Sequence, residues 1–324
     1  MEHKEKNSNK IIAGYAKCVE CGETYPINNG IAVFLPNKWQ NIKIWERSER
    51  VAVQKKGTGE KKNILVGENI DKPSEILKRI RIRNSQGEMR NEDLYKRYME
   101  VIGMPDTLSK LCYLAQKCAN EIDDMDYVLD FASGKCLLAE VLNEISNCRT
   151  IVSDINPIIV MQAQQEFKRS DNYDKLSFMA FDMKKSPFRN KSIHTVTTLL
   201  GLQNIIPSKG IVDEIDRISD VFFTISAYLT EKLPENMTVL NKFHIADVWI
   251  EHNFAKETDR LGWKCERICS FMDLAKGISR EEIETRFAVA KFPVKDEMVK
   301  YALMKYLIGG KTEKNIGSNR VYQN

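Results

Sequence analysis

Three aspartates in this 324-residue chain have the placing of a nucleoside-binding set. Asp130 opens the turn of VLDFASGKC, Asp154 closes the apolar run TIVSD, and Asp182 closes LSFMAFD. A carboxylate at the end of a buried strand can accept hydrogen bonds from both hydroxyls of a ribose. One at the next strand end can accept from an adenine amino group. A second constellation is Cys18-Val-Glu-Cys21, the spacing of a metal-binding pair. A structural zinc site takes four ligands, usually two such pairs. The preceding IIAGYAK contains no first pair, so the only metal candidates supply half a set and a zinc site is not expected. Of the histidines, His194 starts the strand IHTVTTLL, about five residues or ~17 Å of strand from its ligand-facing end. A general base must come within about 3 Å of its proton, so His194 reads as structural. His244 and His252 read as surface or packing residues.

These residues need elements to position them. From residue 105 onward helices alternate with short buried strands. Thr107 to Ile122 carries Leu108, Leu111, Leu114 and Ala115 at helical spacing, and DYVLDFA is a short strand. LLAEVLNEIS and IIVMQAQQEFKR are helical, TIVSDI, LSFMAFD, IHTVTTLL and DVFFTISAYL are strands, and WKCERICSF and RFAVAKF close the series. The fold class this predicts is α/β: a doubly wound, mostly parallel, seven-stranded sheet covered on both faces. Ligands then bind beyond the C-terminal ends of the strands, where the three aspartates lie.

Ahead of this body, residues 1–38 read as a small β unit: a frayed charged start, the CxxC turn, YPINNG as a turn, and the strand IAVFL ended by Pro36. Residues 39–104 read as a connector, with a Gly- and Lys-rich loop at 52–72 and helical patterns in 73–104 that form either a lid or a bracket. The body runs over 105–307, and 308–324 is a polar, Gly-punctuated tail.

Composition bounds the function. The 49 basic and 45 acidic residues nearly balance, unlike a dedicated nucleic-acid binder. The exception is LKRIRIRN, which is either a phosphate-binding patch or the solvated face of a helix. No apolar run is long enough to cross a bilayer, and MEHKEKNSNK lacks the apolar stretch of an export signal, so a cytoplasmic protein is expected.

VLDFASGKCLLAEVL resembles the first motif of class I S-adenosylmethionine (SAM)-dependent methyltransferases, apolar-apolar-Asp-x-Gly-x-Gly-x-Gly. SDINPIIV resembles their second motif, and FMAFDMKKSPFRNKSIHTVTTLLGLQNI their third and fourth. The similarity covers roughly residues 105–290 and points to the small-molecule branch that includes the quinone-biosynthesis enzymes. It implies SAM as cofactor, held by Asp130, Ala132, Gly134, Asp154, Ile155, Asp182, Met183 and Leu199. Only the middle glycine of the motif is kept; Ala132 and Cys136 replace the outer two. Acceptor contacts would come from Gln203 and Asn204 after the fourth strand, although Asn204 can equally cap a turn before Pro207. No catalytic triad is offered, and none is needed for displacement at a sulfonium. The N-terminal YAKCVECGETYPINNGIAVFLP is similar to the second half of the zinc ribbon in the small activator of tRNA and rRNA methyltransferases. The expected function is methyl transfer to a small molecule. The alternatives are a non-catalytic SAM-binding or partner protein and an RNA-modifying methyltransferase.

Overall fold

The computed structural model describes residues 2–7, 10–19, 21–36, 107–122, 127–134, 136–146, 148–168, 172–230, 232–277 and 293–310. The expected loop at 52–72, the helices in 73–104, LKRIRIRN and RFAVAKF lie outside them, as does the tail from 311 on.

The core is a sheet of β5 (Tyr127–Asp130), β6 (Arg149–Asp154), β7 (Leu176–Phe181), β8 (Ile193–Leu199), β9 (Ser219–Leu229), β10 (Lys264–Ala275) and β11 (Glu297–Leu307), in the order β7-β6-β5-β8-β9-β11-β10. All pairs from β7 to β9 are parallel, and β11 runs antiparallel to both its neighbours. Six of these are strands expected from the sequence; RFAVAKF, the other expected strand, lies outside the described residues, and β11, EMVKYALMKYL, is an additional strand that was not expected. It lies between two strands and is buried along most of its length, so its pattern is nearly continuous apolar residues rather than alternation. Lys300 and Lys305 interrupt that run.

Between the strands come α1 (Thr107–Glu121), α2 (Leu137–Ile145), α3 (Pro157–Phe167), α4 (Ile211–Ile218), α5 (Pro234–Phe243), α6 (Ala246–Trp249) and α7 (Glu251–Arg260). Stepping from β5 to β6 to β7 moves one way across the sheet; stepping from β8 to β9 moves the other. Right-handed crossovers therefore put α2 and α3 on one face and α4 on the other. Helix α1 packs against α2 and reaches β9, β10 and β11. Asn156 accepts from Ile158 N at the start of α3, and Pro157 occupies its first turn, where a missing N–H costs nothing. In α4, Ile211, Val212, Ile215 and Ile218 are buried at helical spacing.

The N-terminal residues extend the same sheet to eleven strands. β1 (Glu2–Asn7), β2 (Lys10–Lys17), β3 (Thr24–Asn28) and β4 (Ile31–Phe34) form an antiparallel meander, and β4 pairs in parallel with β7. Two expectations are corrected here. The first ten residues are not a frayed start, because Glu2–Asn7 pairs with β2. YPINNG is not all turn: Thr24–Asn28 is a strand, and only Asn29 and Gly30 turn, both with positive φ. Pro26 is tolerated because β4 joins β3 only at Ile27 and Asn28, which leaves one edge of the strand without a ladder partner at Pro26. Ile31, Val33 and Leu35 share a core with Val160, Ala163 and Phe167 of α3. Lys10 Nζ donates to Tyr173 O at 2.6 Å and Gln164 Nε2 to Asn29 O at 2.7 Å, fastening the meander to the body. No helix among the described residues is long and apolar enough to cross a membrane.

Candidate functional site

The order of strands reverses between β5 and β8, and the C-terminal ends around that point form the crevice where such sheets bind ligands. The three aspartates meet on this edge. Asp130 ends β5 opposite Val152 and Thr197, Asp154 ends β6 opposite Ala180, and Asp182 follows the last residue of β7. Parallel pairing in register is what brings them into one row.

The turn after β5 keeps the backbone path of a glycine loop with only one of its three glycines. Ala132, Gly134 and Cys136 have φ of 47°, 50° and 61°, all in the left-handed region that side chains rarely adopt. Other bonds hold that path. Ser133 N donates to Ser153 O at 2.9 Å, Ser133 Oγ to Asp130 O at 2.8 Å, and Ser153 Oγ to the same carbonyl at 3.2 Å. Across the crevice, Phe131 N donates to Thr197 O at 3.1 Å and Thr198 Oγ1 to Phe131 O at 2.8 Å. A side chain at Gly201 would begin 2.1 Å from Thr198 Oγ1 and 2.9 Å from the Ala132 methyl, so only glycine fits there. Sequence reasoning missed Ser133, Ser153, Thr198 and Gly201. The signal is small residues at strand ends, three of them hydroxyl-bearing, too common a pattern to single out without the register.

Asp154 is held from both sides: Oδ1 accepts from Asn156 N at 2.9 Å and Oδ2 from Gly134 N at 3.2 Å. These two bonds set the orientation of the carboxylate. The side chain of Ile155, beside it, is 48 % exposed at the rim. Asp182 Oδ1 accepts from Lys184 N at 2.9 Å, closing a short 3-10 turn that buries Met183.

Asp130 is different. It is 1 % exposed, and Oδ2 has no hydrogen-bond partner among the described residues. Burial raises its pKa to about 7, against the lowering effect of hydrogen bonds from Ser133 and Thr197, and the charge of Asp154 adds to the rise.

At the end of β8, Leu199 is half-buried and Leu200 has φ 55°. The structure does not bring the expected acceptor amides into the crevice. Gln203 is 1 % exposed, and its Nε2 donates to Ala227 O and Val248 O, both at 3.2 Å. Asn204 is exposed and donates to Leu200 O at 3.0 Å, closing its own turn. A cavity of about 740 Å³ lies behind this loop, lined by Ser208, Asp213, Asn241, His244, Asp247 and Arg260 among others. None of the residues expected to hold SAM lines it. His194 stands at the start of β8, its Nδ1 3.5 Å from Asp220 Oδ2, remote from the row of aspartates. His244 caps α5 in the left-handed conformation, and His252 is exposed on α7. Among the described residues no group of three or more His, Cys, Asp or Glu side chains could hold a metal ion.

Residues 129–220 match the family model described as a methyltransferase domain. This stretch is similar to that family. It contains all three aspartates, the turn after β5, and β8 with the loop that follows it. Similar solved structures include the YcgJ protein from Bacillus subtilis, at 14% identity over 62% of this chain and 98% of that one, with a TM-score of 0.48. A methyltransferase from Bacillus halodurans C-125 has 16% identity over 61% of this chain and 98% of that one, with a TM-score of 0.47. Geranyl diphosphate C-methyltransferase from Streptomyces coelicolor A3(2) has 10% identity over 68% of this chain and 88% of that one, at 0.46. No curated protein matches the chain.

Proposed function

We propose that the protein binds SAM at the ends of β5, β6 and β7 and transfers its methyl group to a small-molecule acceptor seated at the end of β8. The observation that carries this is the row of Asp130, Asp154 and Asp182 beside a turn with the left-handed φ values of a glycine loop. When bound, SAM supplies an activated methyl group on a sulfonium, whose thioether is a good leaving group. Asp154, oriented by Gly134 and Asn156, would accept from the ribose hydroxyls. Asp182 would accept from the adenine amino group, Ile155 and the buried Met183 would pack on the ring, and Ala132 and Leu199 would line the remainder.

The chain's own work is alignment and exclusion of water. From Leu199 to Pro207 the sequence contains no ionisable side chain, so nothing in that loop can take a proton from the acceptor. Half-buried Leu199, Leu200, Ile205 and Ile206 favour an acceptor with an apolar body that brings its own nucleophile. In this reading residues 105–307 are the catalytic body, and 1–38 are an added β unit. Calorimetric titration with SAM and with S-adenosylhomocysteine tests the proposal. Saturable heat with both is expected, and its absence up to about a millimolar, a Kd too weak for a cofactor, would refute it.

A further inference from the structure

The added strand β4 braces both walls at the outer end of the crevice. It pairs in parallel with β7 and sets Phe34 beside Phe181, the residue immediately before Asp182. Neighbouring strands lie about 4.8 Å apart, so Phe34 stands one strand spacing from the end of β7. Successive side chains of a strand point to opposite faces. On one face, Val33 and Leu35 share a core with Val160, Ala163 and Phe167 of α3. That helix is capped by Asn156, whose N–H holds Asp154 Oδ1 at 2.9 Å. The contacts therefore back the wall that carries Asp154 and Ile155. On the other face, half-buried Phe34 packs against the core that contains Phe181 and Met183. The Tyr25 ring supports it from the outer side, centroids 5.3 Å apart. Phe181 is met in turn by Phe188, edge to face at 5.6 Å, and Phe188 belongs to the loop that follows Asp182. The same loop holds Asp182 Oδ1 through Lys184 N and is tied to α4 by Ser186 N, which donates to Glu214 Oε1 at 2.8 Å.

Taking the SAM site proposed above as its basis, we infer that β4 belongs to the cofactor site. It fixes the gap between the Ile155 wall and the Met183 turn. Phe34 is a positioning residue: through Phe181 and the turn it keeps Asp182 in line for the exocyclic amino group of adenine, and it takes no part in methyl transfer. Stacking tolerates a small widening of that gap, whereas a hydrogen bond weakens steeply as its angle closes. Loss of the brace is therefore read in which base is bound as well as in how tightly.

The test uses the full-length chain and two ligands, S-adenosylhomocysteine and its inosine counterpart, in which a carbonyl replaces the amino group of the base. A carbonyl facing the Asp182 carboxylate offers it no donor, so wild type should prefer the adenine form. In calorimetry, Phe34→Ala should bind S-adenosylhomocysteine about tenfold more weakly, and its preference for adenine should shrink by a similar factor. Phe34→Leu, which keeps an apolar side chain of similar reach, should restore most of both. In the free protein, hydrogen exchange at the Lys184 amide should quicken in Phe34→Ala, with the Asn156 amide on the α3 side unchanged. Phe34→Val carries the same comparisons if the alanine variant does not fold. A truncated variant with the wild-type preference for adenine, or a preference that leucine does not restore, overturns the inference and leaves SAM binding standing. A wild type that gives no saturable heat with S-adenosylhomocysteine overturns the SAM site itself, and this inference with it.

Discussion

At the ends of β6 and β7 the edge of the sheet is built from carboxylates held by backbone N–H groups, whereas at the end of β8 it is built from apolar side chains and amides turned inward. In the proposed reading the first half presents acceptors to a cofactor whose polar pattern is constant. The second presents shape, which can be changed without disturbing the first. The contrast explains why polar residues at similar positions do different work: in the proposed reading Asp154 serves the cofactor, whereas Gln203 braces the loop against β9 and α6.

Substitutions can break that contrast. Asp154→Ala should have the largest effect on binding. Two hydrogen bonds to a charged acceptor, each worth about 1.5–3 kcal/mol, would be lost together with the bond that holds Gly134. Calorimetry should show S-adenosylhomocysteine affinity falling by about a hundredfold or more. A variant that binds as well as wild type would remove Asp154 from the site.

Asp130→Asn should act on stability through pH. The folded-state pKa of about 7 lies above the ordinary value of 3.8, so between these limits the native state holds the extra proton. Stability therefore falls as pH rises through that window, and the cost is complete above about pH 7. The gap of roughly three pKa units corresponds to at most about 4 kcal/mol. Thermal unfolding should show the variant gaining on wild type from pH 4 to 8, with no difference at the acid end. A constant difference across that range would mean that Asp130 is not the titrating group.

On the acceptor side, Gln203→Ala should cost about 2–4 kcal/mol in denaturant unfolding, because it strips two buried carbonyls of their donor. Affinity for S-adenosylhomocysteine should be unchanged. Asn204→Ala, at an exposed position, should move stability by less than about 1 kcal/mol, the worth of one exposed hydrogen bond. If Gln203→Ala instead leaves stability intact and abolishes turnover, the division between the two halves is wrong. The smallest effect is expected from Ala132→Gly. Relief of a left-handed alanine is worth about 1 kcal/mol and is partly offset by the freedom glycine gains when unfolded. A loss of stability would show that the methyl, in contact range of Gly201, contributes packing that outweighs its strain.

The alternation of helices and buried runs from Thr107 to Leu229 was legible because each element has a single period and a clear stop, such as Asn156-Pro157 before α3. Where a strand is covered on both faces and edges the period disappears, and β11 escaped notice for that reason. β1 was invisible for the opposite reason: its EHKEKN has no apolar pattern and is identified by backbone pairing with β2.

For the site, the sequence by itself determined which groups could bind a nucleoside and in what order they stand along the chain. Asp130, Asp154 and Asp182 each mark a strand end, and strand ends are local. Only the tertiary structure decided which of them faces a partner, because solvation and hydrogen bonding depend on what the rest of the chain packs around each group. Asp130 is buried and short of a partner, Asp154 is braced by a loop residue twenty positions away, and the amide nitrogen of Gln203 is taken up by carbonyls of β9 and α6. The left-handed path at Ala132 and Cys136 is likewise a tertiary outcome. Bonds from β6 and β8 hold a turn that local propensity would have given to glycine.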